Sequence, residues 1–69
     1  MKISARNVFK GEVKKVVVGA VNCEVLLELP GGLEITSIIT KGSVKRLGLK
    51  KGKSAYAVVK ASSVLIATD

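Results

Sequence analysis

Three short stretches of the chain hold most of the side chains with chemistry to offer. ISARN (Ile3–Asn7) sets a guanidinium beside a serine hydroxyl and an asparagine amide, and Arg6 is one of two arginines against ten lysines. TKGS (Thr40–Ser43) places two hydroxyls around a lysine and a glycine, and KASS (Lys60–Ser63) follows an ammonium with two more hydroxyls. All three are rich in donors and none contains an acid. A guanidinium is a planar, permanently charged fork of N–H groups. A loop entering a helix adds N–H groups that lack internal partners and carry partial positive charge. Such a set suits an oxyanion. Each piece also has a structural use. Ser43 can cap a helix, and Arg6 with Asn7 can clasp two strands. Lys60 can be a solvated lysine, and Ser62 and Ser63 turn residues. The residues alone leave both readings standing and the anion unnamed.

Other chemistry is poorly supplied. The chain has no histidine, one cysteine and five acids. Cys23 has no histidine to activate it and reads as a small buried hydrophobe. Glu24 and Glu28 have the spacing of a solvent-facing strand rather than of an acid–base pair. Zinc-type ligands are absent. The expectation is a protein that is not an enzyme and holds no cofactor or metal cation.

These groups must be positioned by very little chain. At 69 residues the sequence is read as a single domain, 1–69. A chain of this length is marginal alone and, with one thiol, has no internal disulfide to help it. It is 48% hydrophobic with a mean hydropathy of +0.41, yet only 3% aromatic. That is more aliphatic surface than one small unit can hide, so a homo-oligomer is expected. The net charge of +7 attracts anions in general. Nucleic acid is the alternative partner, bound by a basic OB-type module. Only Phe9 and Tyr56 are available for base stacking, which argues against single-strand binding. No run of membrane-spanning length and no signal peptide is visible, so the chain reads as cytoplasmic.

The elements follow from valine-rich runs and punctuation. Gly11–Gly19 reads as a strand bounded by glycines, and Glu24–Leu29 as a second with Val25, Leu27 and Leu29 on one face. Pro30–Gly32 is a turn that makes a hairpin with a third strand, Leu33–Thr40. That strand slips phase between Ser37 and Ile38, which suggests a bulge or burial on both faces. Gly42–Leu49 switches to helical spacing, with Ser43 as cap and Gly48 as a left-handed stop. Lys50–Lys53 is a solvated turn. Ser54–Ala67 reads as two strands broken near Ala61–Ser63. Five strands with one short helix between the third and fourth predict an all-β fold, an OB-like Greek-key barrel.

The combination of SARN, ITSIIT, SVKRLGL and VVKASSV, in this order and over Ile3–Ala67, resembles the molbindins, the small molybdate-binding Mop proteins related to TOBE modules. The resemblance implies binding of molybdate or tungstate at subunit interfaces of a hexamer, a trimer of dimers, with a storage or homeostasis role. It assigns the oxyanion pocket to Ser4, Ala5, Arg6, Thr40, Ser43, Lys60, Ala61 and Ser62. A second site, made largely from main-chain groups, falls on Gly19, Ala20, Val21 and Asn22. Two places depart from the family pattern: Lys41, which adds positive potential near the pocket or points to water, and Asn22-Cys23, where the family has small or hydroxyl residues, beside that second assignment. Neither nucleic acid nor membrane is an expected partner.

Overall fold

The computed structural model covers residues 1–69. Four antiparallel strands form one sheet in the order β3-β2-β1-β4. They are β1 (Asn7–Val18), β2 (Asn22–Glu28), β3 (Glu34–Thr40) and β4 (Ser54–Val59), with helix α1 (Lys41–Leu47) between β3 and β4.

Long β1 is the spine. Its first half pairs with β4, from Asn7 opposite Val59 to Glu12 opposite Ser54. Its second half pairs with β2, from Glu12 opposite Glu28 to Val18 opposite Cys23. The expected start at Gly11 is too late. Gly11 lies inside the strand, where a Cβ would stand 2.7 Å from the Glu28 carbonyl oxygen and 2.9 Å from Leu29. The glycine permits a close crossing of chains rather than ending a strand.

The alternation in β2 works as expected. Cys23, Val25 and Leu27 are buried, while Glu24 and Glu28 face outward. Val13, Val25 and Leu27 make the core, with Val16, Ile35, Ile39, Val44, Leu49, Ala55 and Ala57 packed around it. The predicted hairpin is present. The Leu29 N–H donates to Leu33 O, and Gly31 and Gly32 both take positive φ.

Three expectations need correction. The bulge is not in β3, whose pairing with β2 runs without a shift; Ile38 simply points outward, 71% exposed. The register shift lies in β1, between Val13 and Lys15. There the Lys50–Lys53 turn closes onto Val13, whose N–H donates to Lys53 O while its carbonyl accepts from Gly52. The helix cap is Thr40, one turn before the expected Ser43. Its hydroxyl accepts the Ser43 N–H at 3.0 Å. Gly48 does end the helix, with φ 64° and ψ 35°.

The third correction concerns the fifth strand. After a single 3-10 turn at Ala61–Ser63, the chain runs on with no sheet partner. Leu65 and Ile66 are 91% and 87% exposed. The single chain is therefore an open four-stranded sheet rather than a closed five-stranded barrel. Val64–Ala67 has the apolar, β-branched composition of a strand but meets no free edge within its own chain. Local propensity makes a strand only where a partner strand supplies hydrogen bonds.

Candidate functional site: a donor-lined pocket at one end of the long strand

The pairing of Asn7 with Val59 decides the site. It sets the residues before β1 beside those after β4, although they are far apart in sequence. Asn7 reinforces the junction, its Nδ2 donating to Val59 O at 3.2 Å. The clasp suggested for Arg6 with Asn7 is thus made by Asn7, and Arg6 is free of it.

A cavity of about 450 Å³ opens at this junction, lined by Ile3, Ser4, Ala5, Arg6, Lys60, Ala61 and Ser62. Six of the eight residues assigned to the oxyanion pocket are in that lining. The side chains of Ser4, Arg6, Lys60 and Ser62 make no hydrogen bond or ion pair within the chain; the only ion pairs are those of Lys14. In the 3-10 turn the first donor is Ser63, whose N–H meets Lys60 O at 2.9 Å. The N–H groups of Ala61 and Ser62 precede that bond and have no partner in the turn. The cavity gathers two cations, two hydroxyls and backbone N–H groups, and no acid lines it. Such a wall repels cations and other donors and accepts an anion that brings only acceptors.

Thr40 and Ser43 are elsewhere. Thr40 pairs with Asn22, beyond the far end of 12-residue β1. There the Thr40 hydroxyl donates to Ser43 Oγ at 2.8 Å and accepts the Ser43 N–H. The Ser43 hydroxyl proton is left without an acceptor, so it can donate outward. The second-site candidates gather at this same end. Lys41 N–H donates to Val21 O at 2.9 Å, and Gly19 N–H to Asn22 O at 2.9 Å. Within one chain the eight residues thus form two groups at opposite ends of β1.

Lys14, and Lys53 of the turn expected to be solvated, have defined partners. Lys14, on the bulge, meets Glu34 at 2.7 Å and Glu28 at 3.2 Å, and its pKa is raised from 10.5, first by the hydrogen bond to Glu34 and then by that to Glu28. Lys53 Nζ donates to Leu47 O at 2.6 Å and holds the end of α1. Neither was legible in advance, because both depend on the bulge in β1 and on how the 50–53 turn folds back.

An open all-β sheet with a donor-lined cavity where its first and last strands meet defines a small anion-binding module by its chemistry. Comparison with known proteins carries this to a family. The TOBE domain model matches residues 3–66. Molybdenum-pterin-binding protein 2 of Clostridium pasteurianum is 52% identical over 66 residues, 96% of this chain and 97% of that one. The structure of MopII from the same organism, in an apo form, superposes with a TM-score of 0.93 at 49% identity, covering 97% of this chain and all of that one. ModG, a cytoplasmic molybdate-binding protein solved with molybdate bound, gives a TM-score of 0.91 at 57% identity, covering 94% of this chain and 46% of the other. The chain belongs to the TOBE domain family and, within it, to the Mop proteins.

Proposed function

We propose that the chain binds molybdate or tungstate between copies of itself and serves as a cytoplasmic store of the oxyanion. The observation that carries this reading is the cavity of Ser4, Arg6, Lys60, Ala61 and Ser62, with donors on its wall and no acid. Molybdate near neutral pH is a tetrahedral dianion that accepts hydrogen bonds and donates none. Burying it requires donors on every side, because an unpaired buried charge is strongly unfavourable. Relatives described as binding molybdate or molybdenum support the choice of anion. The lining contains no aromatic ring to stack on a pterin, which favours the bare oxyanion. The protein binds and releases; no acid, base or activated nucleophile lines the pocket to support catalysis.

One chain offers only part of a cage. Arg6 and Lys60 cover one side of the anion, and Ser43, held by Thr40, lies at the other end of β1. A complete cage forms when the Thr40–Ser43 end of a second copy meets the Arg6–Lys60 end of the first. Two features support a homo-oligomer. The apolar tail at Val64–Ile66 is exposed. A cavity of about 360 Å³, lined by Ile39, Leu49, Ala55 and Val58 among others, opens between β3 and β4, which do not pair. The proposed assembly is a hexamer, a trimer of dimers, as the resemblance to the molbindins implies.

Calorimetry with molybdate, tungstate and sulfate, combined with native mass, tests the reading. The expected result is uptake of the two larger anions by an oligomer and little response to sulfate. Mixing unfolded Arg6→Ala and Ser43→Ala chains and refolding them together should recover a fraction of intact sites that neither variant has alone. Recovery of none would place both residues in one chain's site or outside it, and end the two-copy cage. The net charge of +7 favours nucleic acid as the second reading. Duplex or single-stranded binding that falls steeply with salt, without molybdate uptake, would establish it instead.

A further inference from the structure

The second half of β1 has a free edge. On the side away from β2, β4 accompanies β1 only as far as Glu12, and the Lys50–Lys53 turn satisfies only Val13. Lys15–Val18 pair with β2 alone. Beside this edge lies an open notch of about 850 Å³ with two kinds of lining. Val16, Val18 and Leu49 give an aliphatic floor, and Lys15, Lys50 and Lys51 give a cationic rim. Glu28 and Glu34 are both engaged by Lys14, and none of the three rim lysines makes an ion pair, although Glu12 lines a small cavity with Lys51.

The geometry points to a docking edge for another protein: an extended segment that alternates acidic and aliphatic side chains and adds as a strand along Lys15–Val18. An exposed edge offers main-chain hydrogen bonds to any strand, and side chains on alternating positions supply the selection. One face of such a segment reaches the lysines and the other the valines. A second copy fits poorly, since it brings a net charge of +7 to a lysine rim and its tail, Val64–Asp69, carries a single acid. Nucleic acid also fits poorly. The notch has no aromatic for a base, its aliphatic floor offers a phosphate nothing, and Glu34 stands in its lining. The inference uses none of the Arg6–Lys60 lining, but it requires the edge to stay open beside the Thr40–Ser43 end that the proposed cage sets against a second copy.

The test is a titration of the isotope-labelled full chain with the end-blocked peptide Glu-Val-Glu-Val-Glu-Val, followed by amide NMR. Shifts should concentrate at Lys15–Val18 and Leu49–Lys51, and affinity should fall as salt rises. The triple variant Lys15→Glu, Lys50→Glu, Lys51→Glu should lose about tenfold or more of the affinity. The same variant should gain affinity for the peptide with lysine in place of glutamate, a swap that a merely damaged fold would not show. The inference is overturned by no binding to the unaltered chain, by binding indifferent to charge reversal, or by shifts centred on Ser4–Arg6 and Lys60–Ser62. Tighter uptake of duplex DNA on the same edge would overturn it too. So would full amide protection of the edge before peptide is added, which would assign it to a second copy.

Discussion

The two ends of β1 treat their polar groups in opposite ways. At the Thr40 end the hydroxyls answer one another: Thr40 accepts the Ser43 N–H and donates to Ser43 Oγ, and Lys41 N–H is held by Val21 O. At the Asn7 end only the frame is satisfied, through Asn7 on Val59, while Ser4, Arg6, Lys60 and Ser62 are left without partners. The fold ties Thr40 and Ser43 together at one end, leaving only the Ser43 hydroxyl proton free, and gathers unpaired cations at the other. Repulsion between Arg6 and Lys60 would turn to attraction with the proposed anion between them. The sharpest test of this contrast is to remove the cations. Arg6→Ala and Lys60→Ala should each weaken molybdate binding by at least about 2 kcal/mol, roughly thirtyfold, as when a desolvated charge loses its partner. The unliganded melting temperature should hardly move, since neither side chain bonds to its own chain. Wild-type affinity in both variants would leave the cavity without its proposed ligand.

At the other end the order of effects should reverse, with stability leading. Thr40→Ala removes the helix cap and should cost about 1 kcal/mol by denaturant unfolding. Thr40→Ser retains the hydroxyl and should restore most of it. Ser43→Ala keeps the backbone N–H that Thr40 accepts, so its stability should stay within about 0.5 kcal/mol of the parent. Its molybdate affinity should still fall, because the outward hydroxyl donor is gone. A Ser43→Ala chain that lost stability but bound normally would make Ser43 the structural residue and undo the division between ends.

How much of this the sequence carried depended on the range of the interaction. Gly48 as a stop and Pro30–Gly32 as a turn are local facts of backbone sterics, and both stand. Cys23 as a buried hydrophobe followed from residue type and the want of a histidine, and it is buried on the same face of β2 as Val25 and Leu27. The donor character of Ser4, Arg6 and Lys60 was legible from residue type, but their meeting required the Asn7–Val59 register, which no local pattern encodes. The resemblance grouped Thr40 and Ser43 with them; on one chain they lie at the opposite end of β1, and only the proposed two-copy cage would bring the groups together. The fifth strand failed for a similar reason. Val64–Ala67 has strand composition, yet a strand needs a neighbour, and propensity cannot supply one. The misplaced bulge shows the same limit: Ser37–Ile38 broke the alternation because Ile38 faces out, whereas Lys14, in an unremarkable valine–lysine run, is where the register slips.

The smallest expected effect lies midway along β1, where Lys14 bridges Glu28 and Glu34 on the exposed face. Screening by water and salt keeps such pairs weak. The direction of their pH dependence is nonetheless fixed. The Lys14 pKa is raised from its ordinary 10.5, so the folded state holds this proton more tightly than the unfolded chain does. The stabilisation is fully present below 10.5 and is lost as pH rises through the higher folded-state value. A Lys14→Gln chain should therefore trail the parent by a small, constant margin in urea unfolding across neutral pH. That margin should shrink with added salt and close only in strongly alkaline solution. If it closed instead as the pH fell through the neutral range, the difference between the two chains would come from some group other than the Lys14 ammonium. The middle of β1 would then have to be explained by the bulge alone.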